Sequence, residues 1–151
     1  MNYFYDLINN KPLACAVTGW FVAQILKILI TAVVEKTLDW GRLLAPGGMP
    51  SSHSTFVTGL AVTIAFQYGF GSVYFALAAA FALVVMYDAC GVRRAVGEQA
   101  QALNNILEKL KETNSLVDQS VVREILGHTP LQVAMGFLLG IVIAVIYRFT
   151  M

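Results

Sequence analysis

The feature that most limits this chain is an apolar run over residues 12–34, interrupted by the strongly polar Gln24 and Lys27. A helix rises about 1.5 Å per residue, so a run of this length spans a hydrocarbon core of ~30 Å. Further apolar stretches follow over residues 55–70, 73–90 and 130–147. Composition agrees: 58% of the residues are hydrophobic and 13% charged, with a mean hydropathy of +0.68, which excludes an ordinary soluble domain. At 151 residues the chain fits a single membrane domain. The expected fold is all-α: an integral membrane helical bundle of about four main transmembrane helices, with amphipathic surface helices. A net charge of +1 gives no reason to expect a nucleic-acid partner.

Gln24 and Lys27 lie three apart and share a helix face, with Thr31 one turn further. A lysine inside a span costs roughly 2.5–3.5 kcal/mol on insertion scales, so it turns to a polar interior or snorkels to an interface. Residues 35–49 form a polar link, and Gly69-Phe70-Gly71-Ser72 reads as a tight turn. Residues 88–129 are a long polar segment. Within it Ala100, Leu103, Ile106, Leu107 and Leu110 follow helical spacing opposite Glu108, Lys109, Lys111 and Glu112, which predicts an amphipathic helix against protein or the membrane surface. A turn at Asn114-Ser115 and a short helix over 117–126 are expected next. Gly136 and Gly140 form a G-x-x-x-G that permits close helix contact and, with the small size, allows a homodimer. Cys15 and Cys90 read as small buried residues, since their spacing suits neither a zinc site nor a disulfide framework. Residues 1–10 carry Asp6 and no basic residue, so no cleavable signal peptide is expected.

With four spans both polar loops lie on one side. Lys36, Arg42, Arg93, Arg94, Lys109, Lys111 and Arg123 fall there, against Lys11 and Arg148 opposite. The excess of positive charge places both loops, and both histidines, on the cytoplasmic side of an inner or plasma-type membrane.

The chemistry concentrates in Gly47-Gly48-Met49-Pro50-Ser51-Ser52-His53-Ser54. Two glycines and a proline end the preceding helix, and Ser51 or Ser52 can cap the next one. The free amides of a helix start form an anion site. Topology brings two further clusters to the same face. One is Tyr87-Asp88-Ala89-Cys90-Gly91-Val92-Arg93-Arg94; the other runs from Arg123 and Glu124 through Gly127-His128-Thr129-Pro130 to Gln132. Two histidines, guanidinium groups and a capped helix start are the parts that phosphoryl transfer needs. A plainer reading makes Arg93 and Arg94 anchors at the end of a span, with Asp88 paired to one of them.

Pro50-Ser51-Ser52-His53 resembles the P-S-[GS]-H motif of the type 2 phosphatidic acid phosphatase (PAP2) superfamily, and His128 with a polar residue four positions on is similar to its last motif, S-R-x5-H-x3-D. The series G-G-M-P-S-S-H-S, Y-D-A-x-G-V-R-R and L-G-H-T-P resembles the divergent branch of that superfamily, related to acid phosphatases and vanadium-dependent haloperoxidases. The resemblance implies a PAP2-like bundle in which His128 attacks phosphorus to form a phosphohistidine, while His53 protonates the leaving oxygen and later activates water. Ser51, Ser52, Arg93, Arg94, Lys27 and Arg123 would bind phosphate, and Asp88, Glu124 or Gln132 would orient His128. No metal or other cofactor is implied; the partners are the bilayer and a lipid phosphate substrate.

The chain departs from the superfamily pattern in places. Lys36-x5-Arg42 is one residue short of K-x6-R-P and lacks the proline, leaving Lys27 as the competing cation. Arg123 stands one residue too close to His128, Val122 replaces the serine, and Gln132 replaces the orienting carboxylate. These departures favour an alternative, a non-catalytic membrane protein that binds lipid phosphate head groups or acts as a scaffold. A third reading, a metal-dependent phosphotransferase, rests on a faint likeness of Asp88-x2-Gly91-x2-Arg94 to the start of the CDP-alcohol phosphotransferase signature, whose later paired aspartates are absent.

Overall fold

The computed structural model describes residues 2–36, 48–113 and 127–150. They form helices α1 (Tyr3–Ile8), α2 (Lys11–Glu35), α3 (Ser52–Tyr68), α4 (Val73–Cys90), α5 (Val92–Thr113) and α6 (Pro130–Thr150). The expected turn at Asn114-Ser115, the short helix over 117–126, and the candidates Arg42, Arg123 and Glu124 lie outside the described residues.

Local chemistry sets the helix starts. Asn10 caps α2, its side chain accepting the Leu13 amide at 3.1 Å, with Pro12 in the first turn where no N–H partner is lost. Ser72 caps α4 through the Phe75 amide at 3.2 Å and closes the 69–72 turn, its own amide donating to the Gly69 carbonyl. Thr129 and Gln132 make a reciprocal pair at the start of α6: the Gln132 amide donates to Thr129 Oγ1 at 3.3 Å, and the Thr129 amide to Gln132 Oε1 at 3.1 Å. That T-x-x-Q pattern is a capping box.

Helix α3 is the centre of the bundle, packed most extensively against α2 and α6 and then α4. Its inward residues are small or hydroxylated: Ser52, Ser54, Thr55, Val57, Thr58, Gly59, Ala61, Thr63 and Ala65 are buried. Close approach follows from glycine on α6. A Cβ on Gly140 would lie 2.7 Å from Thr58 Cβ and 2.8 Å from the Thr55 carbonyl oxygen, and one on Gly136 would strike the Ser51 carbonyl oxygen. The G-x-x-x-G is therefore filled within the chain by α3, and it supplies no surface for a homodimer. Cys15 on α2 and Ile143 and Ala144 on α6 continue the core, flanked by Phe66 and Tyr147. Cys15 is fully buried as expected; Cys90 is only half-buried.

Among the described residues three helical stretches are long and apolar enough to cross a membrane: Lys11–Val34, Val73–Leu110 (α4 running into α5) and Pro130–Thr150. Helix α3, expected as a span over 55–70, is not among them. It has 17 residues, and protein rather than lipid surrounds it, so threonine, serine and glycine replace bulky apolar side chains. The amphipathic helix extends further back than its apolar spacing indicated, starting at Val92 directly after Gly91. Ala100 is buried, whereas Leu103, Ile106 and Leu110 are exposed. Helix α1, rich in exposed aromatic residues, adds an element that hydropathy alone does not indicate.

Candidate functional site

The site forms where α3 and α6 begin and α4 ends. Ser51 is the cap of α3: its hydroxyl accepts the Ser54 amide at 3.4 Å and the Ser54 hydroxyl at 3.0 Å. Its own amide donates to the Gln132 carbonyl at 3.0 Å, tying the start of α3 to the first turn of α6. Ser51 is fully buried and its hydroxyl oxygen accepts from Ser54, so it builds the helix start. Ser52 follows in the first turn, where helix amides have no carbonyl partner, and its side chain is 3% exposed. The Met49–Pro50 peptide that leads into this turn is cis.

His53 and His128 meet across this helix start. Their ring centroids are 6.4 Å apart with planes tilted by 51°. His128 is 7% exposed, while His53 keeps an open side to solvent. The His128 amide donates to the Ala89 carbonyl at 3.1 Å, which pins the residue to the last turn of α4. The preceding Gly127 lies directly against the Arg94 backbone. Sequence reasoning passes over Ala89 and Thr129. The capping-box spacing of Thr129 and Gln132 is a signal for the second; a backbone acceptor such as Ala89 leaves none.

Gln132 Oε1 lies 3.3 Å from His128 Nδ1. The same oxygen accepts the Thr129 amide, so it is the oxygen and not the NH₂ that faces the ring. An acceptor at Nδ1 requires an N–H there and leaves the lone pair on Nε2. Gln132 thus sets the tautomer of His128 while capping its helix.

Lys27 is 4% exposed, so the choice between a polar interior and snorkelling resolves towards the interior. Its charge acts on both histidines. Its aliphatic stem is covered by Gly48, whose φ of +84° suits glycine and whose Cβ, if present, would sit 3.1 Å from Lys27 Cγ and Cδ. Burial pushes the His128 pKa below the usual histidine value, with the charges of Lys27 and Arg93 adding to it, while the Gln132 hydrogen bond opposes the shift. His53 is lowered as well, by desolvation first and then by Arg93 and Lys27.

The remaining candidates divide. Arg93 is near enough for its charge to reach both rings, yet its Nε donates to Asp88 Oδ2 at 2.7 Å. Asp88 Oδ2 is therefore engaged by Arg93, and the side chain that meets His128 Nδ1 is that of Gln132. Arg94 is not brought into the site; its Nε pairs with Glu98 at 2.9 Å, one turn along the exposed face of α5. His53, His128, Gln132, Ser52, Lys27 and Arg93 thus converge. Among the described residues no set of His, Cys, Asp and Glu is grouped to hold a metal ion.

The profile of the Divergent PAP2 family matches residues 8–143, nearly the whole chain. The chain is 36% identical over 154 aligned positions to a Bacillus subtilis (strain 168) protein named "Uncharacterized membrane protein YuiD", covering 95% of this chain and 98% of that one. No solved structure matches. The residues that match run through both histidine segments and all three candidate spans: this chain is a membrane protein of the divergent PAP2 family.

Proposed function

We propose that this protein is a membrane phosphohydrolase that removes phosphate from a lipid phosphate or pyrophosphate through a phosphohistidine on His128. The observation that carries the reading is the convergence of the two histidine rings at the open start of α3, with the buried Lys27 charge acting on both. Burial and neighbouring cations keep His128 neutral near pH 7, and Gln132 leaves its Nε2 lone pair free. Nε2 attacks phosphorus, and the P–O bond to the lipid breaks as protonated His53 gives its proton to the departing oxygen. Water then attacks the phosphohistidine and yields its proton to His53, releasing phosphate and restoring Nε2. The incoming phosphate supplies the negative charge that raises the His53 pKa enough for it to act as an acid. Lys27, Ser52 and the first amides of α3 hold the equatorial oxygens. Lys27 takes the place of the basic residue missing from the first superfamily motif. The positive-inside bias puts this end of the bundle at the cytoplasmic surface.

A second reading, a lipid-phosphate-binding protein without turnover, is favoured by one observation. The partner of His128 Nδ1 is an amide oxygen that must also serve the Thr129 amide, and an amide stabilises an imidazolium less than a carboxylate does. The deciding experiment is phosphate release from a panel of lipid phosphates by purified protein, with and without chelator, beside His53→Ala and His128→Ala. Chelator-resistant release abolished by both substitutions supports the phosphohydrolase. Vanadate binding without release by folded protein supports the second reading. Gln132→Glu then separates them further, because glutamate keeps the capping box while adding the missing charge.

A further inference from the structure

A cavity lies at the other end of the bundle, where α2 begins and α3 and α6 end. Lys11 and Lys27 are both on α2, about 24 Å apart along its axis. The cavity measures about 260 Å³ and is lined by Lys11, Thr63, Phe66, Gln67, Tyr147 and Arg148. Two of the lining residues are cations and none is a carboxylate. Thr63 is 8% exposed, and beyond the weak thiol of Cys15 its Oγ1 has no hydrogen-bond partner among the described residues. Arg148 does not simply extend towards water: its guanidinium lies over the Phe66 ring of α3, 4.7 Å from the centroid. That contact holds a planar, five-donor group in the cavity lining, and a guanidinium stacked by its face can form paired hydrogen bonds with phosphate oxygens along its edge.

We infer that this cavity is a second phosphate-binding site, which takes the head group of an anionic phospholipid from the leaflet opposite the histidines. Lys11 and Arg148 neutralise the phosphodiester charge, the Gln67 amide and Tyr147 hydroxyl supply further polar contacts, and the Thr63 hydroxyl meets the deepest oxygen. Apolar side chains along α2 and α6, among them Val17, Phe21, Val142 and Ile146, are exposed and offer contacts to the acyl chains. The site holds neither histidine, and its occupancy is independent of turnover at the other end.

The test uses the full chain carrying His53→Ala and His128→Ala, so that no turnover occurs, and dependence on Arg148 and Thr63 separates this cavity from the phosphate-binding groups that remain at the histidine end. Purified protein in a neutral detergent is titrated with short-chain phosphatidylglycerol, phosphatidylcholine or glycerol 3-phosphate, and the saturable rise in melting temperature is read. Phosphatidylglycerol is expected to bind saturably and phosphatidylcholine weakly. Arg148→Gln is expected to weaken phosphatidylglycerol roughly tenfold, the scale of one charge-assisted hydrogen bond. Thr63→Val preserves shape and charge and is expected to weaken it several-fold, whereas Lys109→Gln, a cation removed from α5, leaves it unchanged. If glycerol 3-phosphate binds as tightly as the lipid and shows the same dependence on Arg148, the phosphate site stands with a soluble occupant. Wild-type affinity in both Arg148→Gln and Thr63→Val would overturn the inference, as would equal affinity for phosphatidylcholine.

Discussion

Helices α3 and α4 are consecutive and nearly equal in length, 17 and 18 residues, and each reads as an apolar run in the sequence. Their surroundings are opposite. Helix α3 buries side chains on every turn up to Ala65, while α4 buries Ala78, Ala82 and Ala89 and exposes Leu77, Phe81, Leu83 and Val84. The difference lies in side-chain type: α3 is rich in hydroxylated and small residues, whereas α4 combines alanine with bulky apolar side chains. Lipid is as apolar as a leucine side chain, so bulky residues gain little by leaving it, and helices associate through small residues that let backbones approach. The helix richest in serine, threonine, glycine and alanine is therefore the one at the centre. The same close approach carries the start of α3 into contact with α6 and brings His53 to His128.

The strongest way to break this contrast is to add bulk where the backbones touch. Gly140→Leu would drive a side chain into Thr58 and the Thr55 carbonyl, and it is expected to cost about 3 kcal/mol or more in unfolding titrations in mixed micelles, if the protein folds at all. Next in size, His128→Ala is expected to lower phosphate release by at least ~10³-fold while leaving the melting temperature close to wild type. Lys27→Met, which keeps the volume of the side chain and removes its charge, is expected to lower release by about 10²-fold. It also has a readout apart from turnover: removing a positive charge favours imidazolium, so the His128 pKa rises in an NMR titration.

A pH effect on stability follows from His128 as well. Its pKa in the folded protein lies below the unfolded value of about 6.5. Between those two values the unfolded chain binds more protons, so stability falls as pH drops below about 6.5 and levels off below the folded pKa. Melting curves from pH 7.5 to 5 should show that slope, and Lys27→Met should narrow the window over which it occurs. The smallest effect is expected on α4. Leu83→Ala, at a position 66% exposed, should change stability by no more than about 0.5 kcal/mol. A loss comparable to that of Gly140→Leu would mean that protein, not lipid, covers that face.

Much of this molecule is legible in its residues. The spans over 12–34, 73–90 and 130–147 correspond to α2, α4 and α6 within a few residues, because a long apolar run and its caps are local properties. Ser51 as a cap and the turn at 69–72 are readable for the same reason. Gln132 stands out as an amide where the superfamily pattern has a carboxylate. The capping box gives that amide a second role. The third residue of α6 must reach back to the Thr129 amide, and glutamine does so while still facing His128 Nδ1.

The sequence by itself therefore determined the membrane class, the long apolar helices, the position of both histidines at helix starts and the presence of a lysine within an apolar run. Tertiary structure decided which charges belong to the site. Arg93 and Arg94 are neighbours in a segment of ambiguous role, yet one reaches the histidines while tied to Asp88 and the other turns to Glu98. It also decided that Gly136 and Gly140 face α3 rather than a second chain. Helix formation follows from interactions a few residues apart, whereas the partner of a charge or a glycine depends on which backbone lies across from it, and that is set only when the helices pack.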